Sequence, residues 1–229
     1  MTLLSKRLQA VYQMVDTNTR VADIGSDHAY LPVELIEKKV STYAIAGEVA
    51  PGPMSRSKED VDKFGLSEQI DVRLGDGLAV IKESDDIDTV TIAGMGGILI
   101  QSILTRATPE QLSNVKTLIL QPNIGEPLVR HWLVENDFAI VDENIVEEDH
   151  HVYEIIKANK VDAPVALTEP EFLMGPVLMK KKTPTFVAKW QHKLNSYHKA
   201  VANMKHAKQL DQAKIDVMNQ YIKYIEEIL

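Results

Sequence analysis

Residues 21–30 read VADIGSDHAY: a short apolar run climbs to Asp23 and Gly25, and Ser26, Asp27, His28 and Tyr30 crowd in behind it. A strand-to-helix turn needs the glycine and at most one capping side chain. A second carboxylate, an imidazole and a phenol exceed that need. They suit the binding of a polar ligand and the handling of a ring.

Three more clusters carry compatible chemistry. Glu48 follows Gly25 by 23 residues, close to the ~20-residue spacing of a carboxylate that takes ribose hydroxyls. Gly75, Asp76 and Gly77 form a tight turn whose carboxylate can accept from an adenine amino group. In Ala93-Gly94-Met95-Gly96-Gly97 four small residues let a ligand lie along bare backbone. Each has an ordinary explanation alone: a plain turn, a solvated strand end, a common turn. Their joint placement after four successive apolar runs does not.

Those runs are the elements that must position the chemistry. Strands are predicted at 20–25, 42–47, 69–74, 88–93 and 116–121, with helices between them at 29–39, 52–64, 96–106 and 125–136. The alternation indicates an α/β fold with a mostly parallel sheet and crossover helices. In such a sheet ligands sit outside the carboxyl ends of the strands. Residues 138–148 and 151–158 follow each other without room for a helix and read as two strands joined antiparallel. The expected sheet has seven strands, with this reversed pair at one edge. The segment MTLLSKRLQAVYQMV reads as an amphipathic first helix and not as a signal peptide.

The two prolines in 161–171 mark a boundary. The expected domains are 1–160, holding the ligand site, and 161–229, helical throughout. Thr168 with Glu171 makes a capping box, Lys180, Lys181 and Lys182 end that short helix, and Thr183-Pro184 opens the next. Trp190, Leu194, Tyr197, Val201 and Met204, then Ile215, Met218, Ile222, Ile225 and Leu229, step by three and four. That spacing is coiled-coil-like. One continuous register would place Lys208 and Asp211 in the core, so a break near 208–211 and an antiparallel hairpin are expected.

Charge divides along the same boundary. The chain of 229 residues carries a net charge of −8, but residues 1–160 hold −11 and residues 161–229 hold +3. Residues 172–210 contain eight lysines, three histidines and no acid. This run is either the solvated face of a hairpin or a surface for a polyanion. The chain has no cysteine, which excludes a disulfide framework, a thiolate nucleophile and cysteine-based metal sites. His150 and His151 are poorly spaced for a metal, and none is expected. No apolar stretch approaches the ~20 residues of a membrane span.

The missing glycines narrow the ligand. A pyrophosphate site wants G-x-G-x-x-G, but Asp27 stands where the second glycine would be, and its charge repels phosphate. An acidic turn suits the sulfonium end of S-adenosylmethionine, which has no phosphate. At this point DIGSDHAYLP (23–32), GEVAPGP (47–53), GDGL (75–78), IAGMGG (92–97) and QPN (121–123) resemble the bacterial tRNA (adenine-22 N1)-methyltransferases. The resemblance spans essentially the whole chain. It implies a Rossmann-like class I methyltransferase sheet with a C-terminal helical domain. It further implies cofactor contacts at Asp23, Gly25, Ser26, Asp27, His28, Glu48 with Val49, Gly75, Asp76 and Gly77, and at Ala93, Gly94, Met95 and Gly96. The chain departs from many base methyltransferases in having Gln121-Pro122-Asn123 where they carry an N/D-P-P-Y loop.

On this resemblance the reaction is methylation of adenine N1 in tRNA, in the cytoplasm. Asp27, His28 and Tyr30 would face the base, with Asp27 opposite the developing positive charge, Tyr30 stacked on the ring and Asn123 at an adenine edge. Lys180, Lys181, Lys182, Lys189 and Lys193 would meet tRNA phosphates. Plainer roles stay open: Asp27 as a helix cap, His28 as a turn histidine, Tyr30 as core. A non-catalytic nucleoside-binding adaptor with a helical interaction arm is the competing class; it would have no need of polar groups beside the pocket.

Overall fold

A computed structural model describes residues 4–163, 166–205 and 211–229. The chain divides into two compact units, Met1–Ala166 and Leu167–Leu229.

The first unit runs α1 (Lys6–Met14), β1 (Thr19–Ile24), α2 (Tyr30–Glu37), β2 (Ser41–Glu48), α3 (Pro51–Lys63) and β3 (Ile70–Leu74). It continues with β4 (Thr89–Gly96), α4 (Gly97–Thr105), a single turn α5 (Pro109–Leu112), β5 (Thr117–Ile124), α6 (Glu126–Glu135), β6 (Phe138–Glu148) and β7 (His151–Lys160). The seven strands lie in the order β3-β2-β1-β4-β5-β7-β6. The first five are parallel, and β7 is antiparallel to both its neighbours. The last two strands pair as expected, but only β7 is reversed; because it inserts between β5 and β6, β6 runs with the parallel set. Asp149 and His150, at φ 50° and 62°, form the two-residue turn that joins them. The histidine pair thus belongs to a hairpin.

The strands are apolar because helices cover both faces. On one face Ile24, Val90, Ile92 and Leu118 pack with Ile100, Leu104, Val129 and Leu133 of α4 and α6. On the other, Val21, Ile119 and Ile155 pack with Val11 and Met14 of α1 and Leu31 and Leu35 of α2. At the far edge Arg130 of α6 lies fully buried between Glu143 of β6 and Glu154 of β7, at 2.8 and 2.5 Å. The two carboxylates hold this guanidinium firmly protonated. Removing one member of such a buried set typically costs about 3–5 kcal/mol. The set ties α6 to β6 and to the reversed strand β7. Strand order reverses beside β1, where the chain leaves toward β2 on one side and β4 on the other. The crevice at their carboxyl ends is where such a sheet binds ligands.

The second unit holds α7 (Glu169–Met174), α8 (Leu178–Lys181), α9 (Pro184–Lys205) and α10 (Gln212–Ile228). The capping box on Thr168 forms. The single helix expected up to Lys182 is two helices instead, because Gly175 at φ 88°, followed by Pro176, ends the first. Val201, Ile215 and Ile222 pack together with Leu194, Tyr197, Met204 and Met218, and the Tyr197 and Tyr221 rings meet at 5.9 Å. Apart from Tyr221, these belong to the residues whose spacing predicted the paired helices. The break expected near 208–211 falls outside the described residues except for Asp211. That residue caps α10 by accepting from the Lys214 amide.

Candidate active site

The opening turn has an unusual backbone. Gly25 sits at φ 71°, and Asp27, His28 and Ala29 follow at φ 45°, 65° and 53°. Three consecutive non-glycine residues in the left-handed region cost roughly 1–2 kcal/mol each. Strain of this kind persists only where surroundings over-determine it. Here they do. The Gly25 and Ser26 amides donate to the Gly47 carbonyl at 2.8 and 3.2 Å. The Asp27 amide donates to Glu48 Oε1 at 2.8 Å, and Ser57 Oγ of α3 donates to the same oxygen at 3.1 Å. From below, Asp23 accepts from Ser26 Oγ and Thr91 Oγ1, each at 2.6 Å. Burial pushes the Asp23 carboxyl up, while both hydroxyls oppose that rise.

The structure separates the roles within the quoted stretch. Asp23 is only 4% exposed, and it supports Ser26 from beneath the turn. Asp27 is exposed and does not cap the helix: α2 begins at Tyr30, with Ala29 as its N-cap and no side-chain capping bond. Among the described residues no group bonds the Asp27 carboxylate. His28 lies parallel to Tyr30, centroids 5.1 Å apart and planes 8° off, and its Nδ1 donates to Asp60 at 2.8 Å. Tyr30 is 38% exposed, which removes it from the core. The His28 bond and Lys63 hold the Asp60 carboxyl below the usual range.

The other predicted positions fall along the same edge. Glu48 is buried to 6% exposure, yet only Oε1 has partners among the described residues. Val49 and Leu74, at 72% and 51% exposure, offer apolar surface beside it. Asp76 is gripped by Arg106 at 2.7 and 3.3 Å in an exposed pair; such pairs are weak enough for a competing donor to enter. Gly75 and Gly77 leave no room for a Cβ, which would stand 2.8 Å from Val80 and 2.9 Å from Ile103. Ala93 to Gly96 lie inside β4, pairing irregularly with β5. A Cβ on Gly25 would run into Met95 Cε. Asn123 is exposed but engaged: Nδ2 donates to the Gly94 carbonyl at 2.8 Å, and Oδ1 accepts from Gln121 Nε2 at 3.2 Å.

Sequence reasoning missed Thr91, Ser57, Asp60 and Arg7, and quoted Gln121 without giving it a role. Gln121, fully buried at the end of an apolar strand, was the one with a visible signal. In the second unit Lys180, Lys181, Lys182 and Lys193 are exposed, while Lys189 is half-buried with its ammonium 5.6 Å from the Trp190 ring. Among the described residues no group of three or more acidic or histidine side chains gathers to hold a metal.

Carboxylates and bare backbone thus line up at or just past the carboxyl ends of β3, β2, β1 and β4, which are neighbours in the sheet. Residues 21–227 match the family model described as tRNA (adenine(22)-N(1))-methyltransferase. The chain belongs to the tRNA (adenine(22)-N(1))-methyltransferase family. The enzyme of that name from Bacillus subtilis strain 168 is 41% identical over 215 residues, covering 92% of this chain and 90% of its own. A Streptococcus pneumoniae protein solved in complex with S-adenosyl-L-methionine superposes with a TM-score of 0.89 at 40% identity, covering 99% of this chain and 100% of the other. M. capricolum TrmK, solved with the cofactor product S-adenosyl-homocysteine, gives 0.84 at 27% identity over 99% and 97% of the chains. Family membership agrees with the bare-backbone turns and the absent pyrophosphate glycines.

The Asp60 contacts carry a pH signature. Its folded carboxyl is depressed, so its stabilising contribution is present above the ordinary value of 3.8 and is lost as pH falls through the lower folded value. Asp60→Asn is expected to cost about 1 kcal/mol at neutral pH, roughly 2–4 °C in thermal midpoint. The gap to the parent should close below pH 3.8, read by melting curves across pH.

Proposed function

We propose that this chain transfers the methyl group of S-adenosylmethionine to N1 of adenine 22 in tRNA. The observation that carries the reading is the line of ligand groups along one sheet edge: Asp76, Glu48, the Gly25–Ala29 turn and the Gly94–Gly96 backbone. S-adenosylmethionine supplies an electrophilic methyl carbon on a sulfonium. Glu48, with Oε1 already committed to the turn, offers Oε2 to the ribose hydroxyls. Asp76, opened from Arg106, accepts from the adenine amino group, and Val49 and Leu74 give the ring an apolar seat. Gly25, Ser26 and Asp27 bring bare backbone and one free carboxylate to the reacting end.

The target N1 attacks with its own lone pair, so little proton transfer is needed and positioning dominates. N1 lies on the Watson–Crick edge and must be unpaired before it reaches the site. The parallel His28 and Tyr30 rings, braced by Asp60, give a flat surface for a base. Asp27 stabilises the positive charge that develops on the methylated ring. Asn123 acts indirectly here, bracing Gly94 at the reacting edge. Lys180, Lys181, Lys182, Lys189 and Lys193 hold tRNA through its phosphates, and a tRNA-modifying enzyme works in the cytoplasm with its substrate. Among the described residues no helix is long and apolar enough to cross a membrane.

The test is nucleoside mass spectrometry of unmodified tRNA incubated with the protein and S-adenosylmethionine. N1-methyladenosine should form, and tRNA with guanine at position 22 should yield none; equal methylation of both would refute the assignment. In the same assay Asp27→Ala should fold, keep most of its cofactor affinity and lose single-turnover rate. An unchanged rate would remove Asp27 from the chemistry. Neutralising Lys180, Lys181 and Lys182 together should weaken tRNA binding and flatten its salt dependence, by about 0.7–0.9 in slope for every phosphate no longer neutralised. Cofactor affinity should stay constant, because Glu48 and Asp76 lie in the other unit.

A further inference from the structure

His150 and His151 have no part in the function proposed above. The turn they belong to ends β6 and opens β7. Because β6 runs with the parallel set, that turn stands at the carboxyl edge of the sheet, the edge of the candidate active site. His151 and Tyr153 are two residues apart on β7 and so share one face of the sheet. Their ring centroids lie 6.2 Å apart, with the planes 26° from parallel. Tyr153 is half-buried, whereas His151 is exposed, its ring steadied by a bond from Nδ1 to the Asp149 carbonyl at 2.8 Å. The Arg7 guanidinium of α1 lies over the Tyr153 ring at 5.8 Å. From there Arg7 Nη1 donates to Gln121 Oε1 at 2.7 Å, and the same oxygen accepts the Gly94 amide at 2.9 Å. A single guanidinium thus separates the ring pair from the end of β4. The hairpin is fastened to α1 as well: Glu148 accepts from the Lys6 amide at 2.5 Å and from the Arg7 amide at 3.4 Å.

Charge decides which part of a nucleic acid this surface suits. Glu147, Glu148 and Asp149 stand beside the histidines, so the end of the hairpin disfavours phosphate. A base carries no charge, and unpaired RNA bases stack on histidine and tyrosine rings. The same residue pair at the same spacing, His28 and Tyr30, lies parallel at the start of α2. Three inter-strand steps, roughly 14 Å, separate β7 from β1, too far for one base to use both pairs. We propose that His151 and Tyr153 hold a second unpaired base of the tRNA, on the strand that carries the target adenine. Holding that base out of its stack keeps the strand open, which a target whose N1 lies on the pairing edge requires. The inference rests on the tRNA reading given above and extends it to the β6–β7 hairpin.

The test is binding of unmodified tRNA to the full chain, by fluorescence anisotropy at several salt concentrations, beside calorimetry with S-adenosylmethionine. His151→Ala should weaken tRNA binding about 5- to 150-fold. Its salt slope should match the parent's, because no phosphate contact is lost, and its affinity for S-adenosylmethionine should not change. His151→Phe keeps a ring without the charge or the hydrogen bond, and should recover most of the lost affinity. Parent-like tRNA binding by His151→Ala, or no recovery in His151→Phe, would overturn the proposal. A flatter salt dependence in His151→Ala, restored by His151→Lys, would overturn it in favour of a phosphate contact. A matching loss of S-adenosylmethionine affinity would reduce His151 to a brace for α1 and overturn it too. Failure of the parent to bind tRNA would overturn the tRNA reading itself.

Discussion

The hydrogen bond from the Asp27 amide to the Glu48 carboxylate is the interaction on which the rest of the site depends. A charged acceptor at the end of β2 holds the first residue of a left-handed stretch at the end of β1. Without it, Asp27, His28 and Ala29 would relax toward conformations that L-residues prefer. Charge-assisted bonds of this sort contribute about 1.5–3 kcal/mol, comparable to the strain of one or two of these residues. The same carboxylate has a second oxygen, which the proposed function gives to the ligand's ribose; on that reading turn geometry and ligand binding are coupled through a single side chain, with Ser57 of α3 and Thr91 of β4 tying the arrangement to its neighbours.

Everything else at this edge serves precision more than reactivity. The methyl donor carries its own electrophile, so the protein contributes placement and a counter-charge. That fits a site made of bare backbone, buried carboxylates bonded to hydroxyls and two stacked rings. It also fits the distribution of charge. An acidic sheet unit favours a cationic sulfonium and a cationic product ring, whereas polyanionic tRNA needs lysines elsewhere, which the proposed function assigns to the acid-free run 172–210.

The strand ends were legible in the sequence because their signals are local: a glycine at a turn, an acid at a fixed spacing, an apolar run that stops. The helical pair was legible through its three-and-four spacing. Partners from distant segments were not. Asp60 and Ser57 look like ordinary positions on a polar helix, and Arg7 like one cation of an amphipathic one. Only the fold brings them to the turn. The left-handed run at 27–29 had only a weak signal, since aspartate and histidine enter that region more readily than most residues but alanine does not. The division of the segment before Lys182 turned on reading Gly175-Pro176 as a stop, and the insertion of β7 between β5 and β6 is a long-range pairing that no local spacing encodes.

The central claim is that Glu48 holds the turn ready before any ligand arrives. Amide hydrogen exchange of the ligand-free protein tests it directly at Asp27. Strong protection of that amide in the parent, abolished in Glu48→Ala while the strand amides of β1 and β2 stay protected, is the expected result. An Asp27 amide that exchanges at the unprotected rate in the free parent, and slows only when S-adenosylmethionine is added, would contradict a preformed turn.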